Sequence, residues 1–180
     1  MTAFIALIRG INVGGKSMPM ARLRGLCAGL GFRDPATYIQ SGNLVFSAPG
    51  KDARKVAAAL EKAISKEFGY EAAVIARSLD QWKALLAANP YGKRELAAGE
   101  RLFFTFLEET PARAAASALE AIRDPKDEIR VKGDMAYLLV RGGYGESALS
   151  NAFVEKKLGV RATTRNRETA LKLLEMAETL

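Results

Sequence analysis

The chain opens with a short apolar run over residues 3–8, stopped by Arg9-Gly10, which has the length of a buried β-strand. A glycine-rich stretch follows. Met20, Leu23, Leu26, Cys27 and Leu30 then recur at helical spacing, with Gly31 as the stop. Residues 36–40 and 44–46 read as two strands joined through Ser41-Gly42-Asn43, a hairpin signal because Gly and Asn tolerate positive φ. Between residues 52 and 68, Val56, Leu60, Ile64 and Phe68 make one apolar stripe on a helix. Residues 73–76 return as a strand.

The same order recurs in the second half. Residues 102–107 read as a strand and 111–122 as an alanine-rich helix with Pro111 at its start. Residues 129–131 and 135–140 form a hairpin around Lys132-Gly133-Asp134, 148–158 a helix, and 160–163 a short final strand. A helix carrying Leu79, Trp82, Leu85 and Leu86 links the halves, and a terminal helix runs from about residue 167. The order βαββαβ therefore occurs twice, which predicts an α+β fold: two ferredoxin-like units in tandem with a linking helix and a C-terminal helix. The expected boundaries are 1–77, 78–100 and 101–180. The halves share element order and no residue-level repeat.

Composition narrows the chemistry. The 180 residues are 49% hydrophobic and 26% charged, as in globular proteins, and no apolar run reaches the ~18 residues that span a bilayer. The first residues lack a basic leader and a small-residue cleavage site, so they read as a strand and not as a secretory signal. One cysteine, Cys27, forms no internal disulfide and offers no metal-site spacing, and a cytoplasmic location is expected. There is no histidine, which removes the commonest general base and zinc ligand and every Ser-His or Cys-His pair. No metal and no cofactor are expected.

The formal charge is +7. Arg9, Lys16, Arg22, Arg24 and Arg33 face one acid, Asp34, in the first forty residues, and Lys156, Lys157, Arg161, Arg165 and Arg167 cluster late. Two basic regions suit an anionic partner, although a soluble basic surface has the same composition. The segment from Gly10 to Ser17 fits the phosphate-loop pattern G-x-x-x-x-G-K-[ST]. No apolar strand ending in Asp follows to hold magnesium, and the βαββαβ order does not supply a parallel sheet. What remains is a glycine-rich turn with a lysine before a helix, able to hold an anion through Arg9, Asn12, Gly14, Gly15 and Lys16. The bland alternative is that the glycines only let the chain turn tightly.

Three segments, Arg9-Gly-Ile-Asn-Val-Gly-Gly-Lys16, Tyr38-Ile-Gln-Ser-Gly-Asn43 and Ala162-Thr-Thr-Arg-Asn166, resemble in order the signatures of bacterial domain of unknown function family 1697. The resemblance implies a duplicated ferredoxin-like fold. It brings no activity and no catalytic residues. The family carries Asn where this chain has Ser17, which weakens the phosphate-loop reading. The chain also departs from the family at Ala148, where lysine is usual, and at Arg167, where tryptophan is usual.

Further candidates are weaker. Thr164 or Asn166 is placed to cap the last helix, with Arg165 and Arg167 beside its positive end. Arg141-Gly142-Gly143-Tyr144-Gly145 is a turn with Arg and Tyr available. Gln40, Ser41 and Asn43 are able to point hydrogen-bonding groups into a cleft. Residues 41–48 lack the aromatics of an RNA-binding strand, and Phe103, Phe104 and Phe106 read as core. Cys27 and Trp82 fall on apolar stripes. The resulting expectation is a non-catalytic or regulatory protein that binds nucleic acid, a nucleotide or a phosphorylated metabolite. The alternatives are an enzyme acting on a phosphorylated small molecule or nucleotide through Lys16 and Tyr38 or Tyr144, or a protein-interaction module.

Overall fold

A computed structural model describes residues 1–122 and 126–180. Its elements run β1 (Thr2–Ile8), α1 (Met20–Gly29), β2 (Arg33–Tyr38), β3 (Asn43–Ala48), α2 (Ala53–Phe68), β4 (Val74–Ser78) and α3 (Leu79–Ala87). The second half gives β5 (Glu100–Leu107), α4 (Arg113–Glu120), β6 (Glu128–Lys132), β7 (Met135–Arg141), a 3-10 turn (Tyr144–Glu146), α5 (Asn151–Leu158), β8 (Ala162–Asn166) and α6 (Arg167–Glu178). The strands form two four-stranded sheets, β2-β3-β1-β4 and β6-β7-β5-β8, with every pairing antiparallel. Each sheet has the order of a βαββαβ unit, so the α+β duplication stands. The chain divides into two compact units, one of Met1–Ala84 with Leu171–Leu180 and one of Leu85–Ala170.

In the first unit, β1 is central, and Phe4, Ile5, Ala6, Leu7 and Ile8 are all buried. Phe4, Ala6, Ile8 and Phe46 pack with Leu23 and Cys27 of α1 and Leu60 and Ile64 of α2. Burying each of the larger of these side chains contributes about 1.5–3 kcal/mol. The stripe read from the sequence is the stripe that packs. Asp52 caps α2 by accepting from the N–H groups of Arg54 and Lys55, and Gly69 ends it at φ 75°. In the second unit, Leu107, Leu138, Val140 and Ala162 pack on Leu119, Val154 and Leu158. Phe104 and Phe106 are buried in the strand, and part-buried Phe103 stacks on Tyr144 at 4.5 Å.

Several boundaries differ from the sequence reading. β2 begins at Arg33, because a bulge between Arg33 and Ala36 absorbs Pro35 and the positive φ of Asp34. It ends at Tyr38, so Gln40 lies in the turn and not in the strand. Asn43 does not take positive φ; it is the first residue of β3, and the left-handed positions flanking the turn are Ile39 (51°) and Gly42 (73°). α5 starts at Asn151 and not at residue 148, because Ser150 caps it by accepting from the Phe153 N–H. β8 takes in all of Ala162–Asn166.

Two glycines make opposite demands. A Cβ on Gly42 would lie 2.7 Å from the Ile8 carbonyl oxygen, whereas one on Gly25, inside α1, would meet nothing within 4 Å. Gly42→Ala is expected to cost more than about 1 kcal/mol, and Gly25→Ala to gain roughly 0.5–1 kcal/mol. Urea midpoints of the two variants check the contrast.

Candidate functional site

Strand β1 leaves the core at one end of its sheet and runs into the glycine-rich loop. There the Ile8 N–H donates to the Gly42 carbonyl (2.8 Å) and the Arg9 N–H to the Ala73 carbonyl (2.8 Å). Because β1 and β3 are antiparallel, the Tyr38–Asn43 turn sits at this same end, and the first two motifs meet. Asn12 fastens them. Its Oδ1 accepts from the Met18 N–H (2.8 Å) and its Nδ2 donates to the Gln40 carbonyl (2.8 Å), with its own φ at 56°. Asparagine reaches that conformation more readily than most residues, which suits it to the position.

The loop does not have the geometry of a phosphate loop. The Lys16 and Ser17 N–H groups, which such a loop turns to the ligand, bond to the Val13 and Gly15 carbonyls instead. α1 starts only at Met20, past Ser17. Lys16 Nζ donates to the Glu71 carbonyl (3.0 Å) and lies 5.6 Å from the centre of the Tyr70 ring, whose hydroxyl donates to the Ser17 carbonyl. Val13, Gly14 and Gly15 differ from their neighbours: their three successive N–H groups have no acceptor among the described residues. Gly14 and Gly15 stand at φ 57° and 84°, and residues 12–17 line a shallow, open depression of about 250 Å³.

The turn residues divide between structural and open roles. Asn43 is fully buried, and its amide donates to the Tyr38 carbonyl (3.1 Å) and Ser41 Oγ (2.9 Å), so it holds the turn shut. Gln40 is exposed and uses only its backbone carbonyl, leaving its side-chain amide without a partner among the described residues. Arg9 is half-buried beside the loop.

The third motif lies in the second unit. Arg165, expected beside the positive end of the last helix, is half-buried: its Nη1 donates to Thr163 Oγ1 and the Thr164 carbonyl, both at 2.8 Å. Burial pulls its pKa down to about 10, which leaves it cationic at neutral pH. Asn166 caps α6 by accepting from the Thr169 N–H (2.8 Å), and Arg167 is exposed. Thr164 does not cap; it meets Thr105 Oγ1 at 2.8 Å and donates to Asn151 Oδ1 at 2.9 Å. Tyr144 faces the same group, with its hydroxyl enclosed and completing no hydrogen bond of normal geometry.

Arg141 is held by acids and backbone of its own unit. Its guanidinium donates to Glu100 (3.0 Å), Glu128 (2.9 Å) and the Lys126 carbonyl (3.0 Å), while its N–H goes to Asp127. The sequence reading missed this cluster, since its acids come from two separate segments, Glu100 and Asp127–Glu128. Asn12 as a fastener was equally unforeseen, because its partner lies 28 residues away. Among the described residues no group of three acidic or thiol side chains is placed to hold a metal ion, and no helix is long and apolar enough to cross a membrane.

The paired sheets and motif-bearing turns define an α+β protein built from two tandem ferredoxin-like units. The family model described as "Protein of unknown function (DUF1697)" matches residues 1–137, and the chain belongs to that family. The solved structure of the conserved bacterial protein SP0830 from Streptococcus pneumoniae is similar, with a TM-score of 0.75 at 25% identity and 98% of each chain covered. No curated protein matches the chain.

Two outcomes follow from the electrostatics. Hydrogen bonds from Arg94 and from the Ala97 N–H hold the Glu100 carboxyl at about 2, below its ordinary 4.5. Its contribution is present above the unfolded value and disappears as pH falls from about 4.5 through about 2. Acid unfolding of Glu100→Gln should therefore lose part of its pH dependence in that window. Burial pushes the Cys27 thiol up to about 12, so the native protein should resist alkylation at pH 8 and react once unfolded.

Proposed function

We propose that this protein binds an anionic ligand, and that the loop from Arg9 to Ser17 in the first unit receives it. The observation that carries the reading is the run of three N–H groups, at the exposed residues Val13, Gly14 and Gly15, that have no acceptor among the described residues, with Lys16 directly after them. Backbone N–H groups in a turn with left-handed residues form a concavity that favours negative charge. Asn12 supports the reading further, because two hydrogen bonds to fixed backbone hold the loop in place before any ligand arrives. A preordered loop loses less conformational freedom on binding than a floppy one. Lys16 is exposed and held by one carbonyl and one ring face, contacts that an incoming phosphate replaces with a charge-assisted bond.

The late basic cluster gives this reading less support. Arg165 already spends donors on Thr163 and Thr164.

Titration with inorganic phosphate, followed by amide chemical shifts, tests the assignment. The Val13, Gly14 and Gly15 resonances are expected to move first, and Lys16→Ala to weaken binding about tenfold, as loss of a hydrogen bond to a charged group does. The effect should shrink as salt rises. Shifts confined to other residues, or an unchanged affinity in Lys16→Ala, would remove the loop from consideration.

A further inference from the structure

We propose that the first unit carries a second binding site, a groove between α1 and α2 that takes a small amphiphilic carboxylate. The apolar chain of the ligand lies along Leu26 and Leu30, and its head group meets Lys66. The site shares no lining residue with the Arg9–Ser17 loop and does not depend on the anion reading.

The groove is made from one face of each helix. Gly25, Leu26, Gly29 and Leu30, from α1 and its C-cap, follow the spacing of residues that share a helix face, as do Ala63 and Lys66 of α2. Together they line a cavity of about 630 Å³, within the range of small-ligand sites. Leu26 and Leu30 are part-buried against the core, so they form its apolar bed. At one end Arg22 reaches from α1 to Glu67 of α2, pairing at 2.5 Å, and lies over the Phe68 ring.

Two observations point to an occupant. The first is the room itself. Gly25 and Gly29 are helical and neither takes positive φ, and a Cβ on either would meet nothing within 4 Å. Glycine inside a helix is destabilising relative to alanine, and here neither backbone nor packing calls for it. What the two glycines provide is an open wall to the groove. The second is a charge. Arg22 is spent on Glu67 and Phe68, whereas Lys66 is exposed in the last turn of α2 and has no ion pair or side-chain hydrogen bond among the described residues. A bare anion would leave Leu26 and Leu30 uncovered. An uncharged apolar ligand would leave Lys66 unmatched. A carboxylate on an apolar chain matches both, with the lysine stem adding to the apolar contact.

The experiment titrates the full chain with decanoate, octanoate and decylammonium below their micellar concentrations, reading amide chemical shifts. Decanoate is expected to move Gly25, Gly29 and Ala63, and to bind about fivefold more tightly than decylammonium, as one exposed charge contact implies. Octanoate should bind about fourfold more weakly than decanoate, the effect of two half-covered methylenes. Lys66→Gln should erase most of the preference for decanoate over decylammonium. Gly25→Gln sends a long side chain into the groove and should weaken decanoate at least about tenfold. Glutamine is a good helix former, so a melting temperature at or above the parent's shows that this variant folds. Equal binding of decanoate and decylammonium would overturn the carboxylate assignment. Shifts at Val13 to Gly15 in place of Gly25 and Gly29, no binding of decanoate, or unchanged decanoate affinity in Gly25→Gln would overturn the groove while sparing the anion reading.

Discussion

The structure depends most on a strand that has no free side. Residues Phe4 to Ile8 of β1 are buried, and both edges of the strand are paired, to β3 and to β4. A strand used on every side can release its chain only at its end, and there the exit is tied down twice, from Ile8 to Gly42 and from Arg9 to Ala73. The second unit repeats the arrangement with unrelated residues. The Leu107 N–H donates to Asp134 in the β6–β7 turn, and the Glu108 N–H donates to Arg161 just before β8. The duplication therefore lies in backbone pairing, which different side chains can satisfy equally well.

The two exits then part company. In the second unit the residue after the strand is Glu108, and its carboxylate forms an ion pair with Arg161. In the first unit the same place holds a glycine-rich loop with Asn12 as its internal fastener. One copy of the geometry carries an ion pair of its own, while the other keeps three N–H groups with no acceptor among the described residues. That asymmetry is why the first unit, and not its counterpart, carries the functional proposal.

Sequence reasoning reached the elements whose signal is local. α2 was legible because Val56, Leu60 and Ile64 recur every four residues, and the duplicated order followed from counting strands and helices. The positive φ of Gly42 was legible because glycine tolerates it without strain. Ile39 was not, since a β-branched residue gives no sign of adopting that region. Contacts across long separations were also hidden: Asn12 with Gln40, Thr105 with Thr164, Arg141 with Glu100. Arg165 was read as an anion ligand beside the last helix, and the donors it spends on Thr163 and Thr164 along β8 carry no sequence signal.

The irregular edge of the first sheet has a consequence for the protein in a crowded solution. β2 is paired only to β3, and its outer side would invite another chain to add a strand. Pro35 removes one N–H from that edge, the bulge breaks the spacing of the rest, and Asp34 turns the backbone out of the extended region. A foreign strand laid along β2 finds no continuous ladder to join. The feature that blurred the start of β2 in the sequence thus protects the first unit from sheet-to-sheet aggregation on that side.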